Sequence, residues 1–475
     1  MVQTSRAVTR RTSLTILAGA AGVVLAACGE PTVRVVGSPE EARGPAGPAG
    51  PEGPKGATGQ QGAQGAAGAV GMTQVLVEYW NKSRPSHPEQ IGITAVMKAW
   101  EEQGDGRYKL LIGQNAQAVS LDKFKTSIAA GAPPNISVSY NFNGSDLNTT
   151  GGLVNFDEQL KAEKEWGEIR QTIYPQLLRS NTWKDFLYGI PAYNSYFNMY
   201  YSPALLQAAG LGEPKEGWTF DEFLGMAQQA AKPPDIWGYN SAWVTAHWMM
   251  WFGSNGGKFT NDEVTKVTLT SPEGLEALEW ELGLVQKNLQ KPHDGSGGGG
   301  YKELLPEQKV VFQFAVPARL TVLKKDNVSF ATTKFPIGPK NTAGTPYTTG
   351  AAYAFNVYKH EDEDAQHAAA LAAMWGAGRD GQFIFARETN VPLASRAVTE
   401  SQEYINEFSG DTEYWPFIEV NPFFDPYPNY PKYWPCYGIL TKQLRRVWAG
   451  EAGPREALEQ AQRESQVLLD ESLAL

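Results

Sequence analysis

The chain reads as an α/β protein carried behind a collagen-like spacer, and three observations predict this. Segments with strand and helix patterns alternate strictly between residues 74 and 140. The 475 residues are 42% hydrophobic with no long apolar stretch after Cys28, which suffices for a large core or for two lobes sharing a cleft. Between Gly44 and Gly71, glycine stands at every third position.

Arg6, Arg10 and Arg11 precede an uncharged apolar run from Ser13 that closes with Leu25-Ala26-Ala27-Cys28. A basic start, a short apolar stretch and small residues at its end make an export signal over residues 1–27 rather than a membrane span. The closing tetrad resembles a bacterial lipobox, which implies acylation of Cys28 as the first mature residue. Two or three acyl chains anchor a protein stably where one does so only marginally. Thr9-Arg10-Arg11-Thr12-Ser13-Leu14 also resembles a twin-arginine signal, although Ser13 stands where that motif prefers an apolar residue, so both export routes stay open.

Residues 28–71 form the anchor and spacer. Pro45, Pro48, Pro51 and Pro54 each follow a glycine, as in collagen, where only glycine fits the axis of three wound polyproline-II chains. Proline is missing from the second half of the repeat, so a monomeric spacer is favoured, with a trimer through residues 44–71 as the competing reading. The working domain spans residues 72–475.

Within it, residues 74–79 read as a strand and 88–103 as a helix with an apolar stripe at Ile91, Ala95, Val96, Ala99 and Trp100. A second strand over 107–113, a helix from Ser120 to Gly131 and a third strand over 136–140 complete a pattern that predicts a parallel sheet. Ligands of such sheets sit at the carboxyl ends of the strands, here Trp80-Asn81, Gln114-Asn115 and Asn141-Phe142-Asn143. Further on, Thr270-Ser271-Pro272-Glu273 opens a helix running to Leu289. Gly295 to Gly300 reads as a flexible loop, 352–358 as a strand followed by an Ala-rich helix to Trp375, and 454–473 as the last helix.

Composition and motifs exclude several functions. The formal charge is −10 and falls to about −13 once residues 1–27, with three Arg and no acid, are removed. An acidic chain without basic runs argues against nucleic acid as a partner. Once Cys28 is acylated, Cys436 has no partner for a disulfide, and its aromatic context marks it as a packed small hydrophobe. The five histidines are scattered, and the run His360 to Asp364 has Asp where a metalloprotease helix needs its second His, so no metal site is expected. Gly256-Gly257-Lys258 resembles the end of a P-loop, but Phe259 follows where Ser or Thr is required. No Gly-x-Ser-x-Gly elbow occurs, so no catalytic residue and no cofactor are expected. Paired carboxylates meeting across a cleft leave no linear motif, which keeps open a secreted carbohydrate-active enzyme as one alternative. A surface structural protein trimerised by its collagen-like arm is the other.

From Leu187-Tyr188-Gly189-Ile190-Pro191 onward the chain resembles the extracellular solute-binding proteins of ABC importers, specifically the sugar-binding lipoproteins related to maltose-binding protein. Asn198-Met199-Tyr200-Tyr201-Ser202 with the helix after it is similar to the family's tyrosine-rich strand, and Gly217-Trp218-Thr219-Phe220-Asp221-Glu222-Phe223 to a family helix entry. Asn255-Gly256-Gly257, the helix from Thr270 and the final amphipathic helix fall in the family's order and spacing. The resemblance implies a two-lobed periplasmic-binding-protein-like fold of type II, with a hinge. Lobe 1 would comprise about 72–191 and 349–415 and lobe 2 about 192–348 and 416–475, with crossings near 191–194, 337–349 and 414–422. It further implies a lipid-anchored, extracytoplasmic binding subunit on the outer face of the bacterial cytoplasmic membrane. Such a subunit captures a sugar or oligosaccharide between closing lobes and delivers it to ABC permease subunits. The chain departs from the family pattern at Pro317 and Arg319 and in the long Pro/aromatic stretch 414–437.

Sugars present apolar C–H faces and hydroxyl edges, so their sites need flat rings beside amides, carboxylates or Arg. The 14 Trp all follow residue 79, and most fill the core, Trp218 foremost. Trp80, Tyr193, Trp248, Trp251, Tyr433 and Trp434 are the ring candidates, because they stand at strand ends, at crossings or where the family lines its cleft. Asn81, Asn141 and Asn194 are the amide candidates, and Arg319 a candidate for an acidic ligand group or a lobe carboxylate.

Overall fold

The computed structural model describes residues 74–81, 85–113, 120–240, 244–290 and 304–475. The export signal, Cys28, the spacer, Gln114-Asn115 and the Gly295–Gly300 loop lie outside the described residues.

The first elements follow the predicted order: β1 (Val75–Asn81), α1 (Pro88–Gln103), β2 (Tyr108–Ile112), α2 (Leu121–Ala129), β3 (Ile136–Tyr140) and α3 (Asn141–Asn148). β1 pairs in parallel with both β2 and β3. Ser120 caps α2 by accepting from the Lys123 amide at 3.2 Å. The buried stripe of α1 is Ile93, Val96, Met97 and Trp100, while Ile91, expected inside, is 46% exposed. Gly92 explains this turn of the face. A Cβ there would stand 2.7 Å from the Phe385 ring, so the helix seats its glycine side against the helix Arg379–Glu388.

The later strands are β4 (Thr182–Trp183), β5 (Phe186–Leu187), β6 (Ile190–Tyr196), β7 (Asn198–Tyr201), β8 (Trp237–Asn240), β9 (Val310–Ala315), β10 (Ala331–Thr333), β11 (Thr348–Val357) and β12 (Phe424–Pro426). A six-stranded sheet runs β12-β11-β3-β1-β2, with β6 also on β11, and a four-stranded sheet runs β10-β7-β9-β8. The large sheet is mixed rather than wholly parallel, since β11 lies antiparallel to both β3 and β6. All ten residues of β11 are buried, as expected of a strand covered on both faces. Gly350 permits the close approach of β6, for a Cβ there would meet the Ser195 carbonyl at 2.3 Å.

The passages between the two sheets differ from those drawn from sequence. β6 stays paired with β11 through Tyr196, so the chain crosses at Phe197 and not at residues 191–194. Segment 424–426, assigned above to lobe 2, is a strand of the large sheet because its register on Thr348–Gly350 holds it there. The stretch before it bridges the sheets. Tyr196 donates to the Phe417 carbonyl at 2.5 Å, and Thr332 donates to that of Glu413 at 2.6 Å. The helix Tyr433–Trp448 then packs on the helices Val244–Ser254 and Pro454–Ala474 beside the small sheet.

Candidate functional site

Five segments bring polar or aromatic side chains together between the sheets, and Ala246, Val316 and Ala318 complete the lining. The first turn of α1 brings His87 and Glu89, and the β3–α3 junction brings Tyr140 and Phe142. The β6 crossing adds Ser195 and Phe197, and β11 adds Ala351 and Tyr353. Tyr427, with Trp434 and Tyr437 from the helix Tyr433–Trp448, closes the far wall. They enclose a cavity of about 300 Å³ at the carboxyl end of β3, where a sheet of this kind leaves room for a ligand.

The aromatic wall spans both lobes. The Trp434 ring lies 5.0 Å from that of Phe142 at an interplanar angle of 2°, and 4.9 Å from Tyr437 at 13°. Phe142 belongs to the large sheet's side and Trp434 to the small sheet's, and Trp434 is still 47% exposed. Burial raises the hydroxyls of Tyr140, Tyr353, Tyr427 and Tyr437 above the ordinary tyrosine range, so they remain protonated donors at neutral pH. Glu89 is 2% exposed and faces His87 Nδ1 at 2.8 Å. That bond, partly opposed by burial, raises the His87 pKa.

Of the residues named from sequence, Trp434 lies on this cavity. Tyr433 is turned into the core, with Phe259 at 5.3 Å and Phe142 at 5.7 Å, and Tyr193 is sandwiched between Tyr353 and Phe385 at 4.3 and 4.8 Å. Asn141 and Asn194 are spent on partners inside the protein. Asn141 Nδ2 donates to the Tyr427 carbonyl at 2.6 Å, and Asn194 Nδ2 to the Leu393 carbonyl and Asn421 Oδ1, each at 3.0 Å. Trp248 and Trp251 are fully buried: Trp248 stacks on Phe252 at 4.7 Å, and Trp251 Nε1 donates to His247 Nε2 at 2.9 Å. Trp80 donates to Glu78 at 2.7 Å and packs on Phe124, away from the cavity lining. Asn81 ends β1 opposite Val138. Arg319 is half-buried between cavity-lining Ala318 and buried Leu320. Trp218 is structural, donating to the Lys334 carbonyl at 2.8 Å.

The sequence reading missed His87, Glu89, Tyr140, Tyr353 and Tyr437. Glu89 beside Pro88 reads as an ordinary acid in a helix's first turn, and no linear signal marks its burial. Among the described residues, no group of three or more His, Cys, Asp or Glu is placed to hold a metal, and no helix is long and apolar enough to cross a membrane.

A second, more polar cavity of about 470 Å³ lies between Arg179, Lys258, Tyr347 and Asp425. Asp425 is exposed to this cavity, and the desolvation it meets in the recess pushes its pKa up to about 6 from 3.8. The folded protein therefore holds this proton more tightly than the unfolded chain, and stability falls as pH rises from about 4 to about 6. Asp425→Asn is expected to remove that fall, which melting curves at pH 4 and pH 7 on both proteins will read.

The bacterial extracellular solute-binding protein family model matches residues 95–417, more than half of the chain. The chain belongs to this family. A Brucella abortus (strain 2308) protein described as a binding protein is 23% identical over 415 residues, covering 83% of this chain and 92% of that one. The cyclic α-maltosyl-1,6-maltose binding protein of Arthrobacter globiformis superposes with a TM-score of 0.71 at 16% identity, over 84% of this chain and all of that one. A Listeria monocytogenes ABC substrate-binding protein, solved in complex with cycloalternan, gives 0.70 at 17% identity over 85% of this chain and 100% of its own. These likenesses establish the two-lobed α/β fold of solute-binding proteins, a family of binding proteins that works outside the cytoplasm.

Proposed function

We propose that this solute-binding protein is the lipid-anchored substrate-binding subunit of an ABC importer and captures a sugar or oligosaccharide between its lobes. The observation that carries this reading is the Phe142–Trp434–Tyr437 stack, a wall of flat rings shared by both lobes beside a cavity with few charged groups. Sugar C–H faces pack on such rings, and hinge closure around a ligand is the common motion of two-lobed folds. Membership of the extracellular family supports the placement outside the cytoplasm. The Leu25–Cys28 tetrad supports the anchor, and the glycine repeat supports a spacer that holds the domain off the membrane.

A thermal-shift screen against a carbohydrate panel tests the reading. A ligand that binds only the folded state raises the melting temperature by mass action, about 2.7 kcal/mol at a hundredfold excess over Kd. At least one sugar is expected to raise it and to be recovered intact after long incubation. A flat response across the panel, or cleaved product, sinks the proposal.

The anchor has its own test. Cys28→Ala expressed with the native signal is expected to leave the detergent phase that holds the wild type, and equal partition of the two proteins would exclude acylation at Cys28.

A further inference from the structure

We propose that the cavity recognises a positively charged nitrogen on its solute, with Glu89 as the counter-ion, so that the captured class is an amino sugar. The inference rests on the carbohydrate reading above and narrows it.

Glu89 is a carboxylate 98% removed from solvent at the wall of an aromatic cavity. An acid in the first turn of a helix gains from the helix dipole whether or not it is buried, so the dipole does not explain why this one faces inward. Burying a charge is costly unless it is paired. The partner seen here is His87, whose side chain is 43% exposed and which loses its charge once the pH exceeds its own raised pKa. Above that point Glu89 faces no cationic partner among the described residues that line the cavity.

The rest of the lining suits a cation better than a neutral polyol. Besides His87 and Glu89, the non-aromatic polar side chain among the described lining is Ser195. The tyrosine hydroxyls engage one another, Tyr140 with Tyr353 and Tyr427 with Tyr437, which reduces what they can offer to several sugar hydroxyls. Ring faces carry negative potential and attract an ammonium group, most strongly where water is excluded. An ammonium placed between Glu89 and these rings satisfies the carboxylate and the ring faces together, while the rest of a sugar packs on Trp434. The net charge of −10 further favours the approach of a cation.

Titration calorimetry on the full chain in detergent at pH 7.5, with glucosamine, glucose, N-acetylglucosamine and choline, decides the matter. Glucosamine is expected to bind at least about tenfold tighter than glucose, and Glu89→Gln is expected to abolish that advantage, read as the ratio of the two affinities on each protein. N-acetylglucosamine, which removes the charge from the ligand, is expected to bind the unaltered protein no better than glucose, so the comparison stands even if the variant fails to fold. Glucose binding as tightly as glucosamine overturns the proposal and leaves the carbohydrate reading intact, and so does an advantage that survives Glu89→Gln. Choline binding with no response to any sugar upholds the cation site and overturns the carbohydrate reading. No response to either charged ligand overturns the proposal.

Discussion

Trp251→Ala is expected to lower the stability of the unliganded protein by about 3–5 kcal/mol, the cost typical of truncating a buried Trp. The ring is 0% exposed and packs edge-on against Phe335 at 4.6 Å, Phe220 at 4.8 Å and Phe223 at 5.2 Å. Its Nε1 donates to His247 Nε2, while His247 Nδ1 faces Glu281 at a site with no solvent access for either side chain. The neutral imidazole with its proton on Nδ1 satisfies both contacts. Removing the indole therefore opens a cavity and also takes a donor from a buried polar chain, and the second loss places the cost toward the upper end of that range. Trp251→Phe keeps much of the packing and loses the donor, so its midpoint of chemical denaturation falls between wild type and Ala. A variant that keeps wild-type stability while losing ligand would return Trp251 to the binding site, where the sequence reading had placed it.

Trp434→Ala is expected to act in the opposite way, weakening ligand binding by one to two orders of magnitude, or about 1.5–3 kcal/mol, with a smaller loss of unliganded stability. Half of the ring is already solvated, so the folded state gains less from its burial than from that of Trp251. In the unliganded protein its stacks on Phe142 and Tyr437 contribute about 0.5–1.5 kcal/mol each. The same ring bridges Phe142 and Tyr437 in the wall, so under the proposed function its removal takes away contact area for the ligand. Calorimetric affinity and apo melting temperature on one preparation separate the two contributions. Unchanged affinity would show that the ligand does not use this wall.

The contrast between Trp251 and Trp434 marks how far local sequence reaches. Both looked alike in sequence, each in a run rich in aromatics. Their fates part because Trp251 faces the sheet-side core on the helix Val244–Ser254, every residue of which is buried, whereas Trp434 stands in the first turn of a helix that ends at the cleft. The amide candidates failed for a related reason. Asn141 and Asn194 sit at a strand end and at a crossing, as the reading required, but there the backbone of segments more than a hundred residues away needs donors, and their side chains supply them.

What the sequence determined by itself was local or periodic. The order β1-α1-β2-α2-β3 follows from apolar spacing, Ser120 and the Thr219–Glu222 capping box follow from side chains that serve their own backbone, and the family follows from motifs in a fixed order. The tertiary structure alone decided which side chains meet between the lobes. Glu89, Phe142, Tyr353 and Trp434 come from four segments spread over more than three hundred residues, and their contact depends on the pairing of β11 with β3, β6 and β12. Such pairing is set by long-range register and packing, which leave no trace in any one stretch of chain. A buried carboxylate therefore reads in sequence like a solvated one, and only the fold tells them apart.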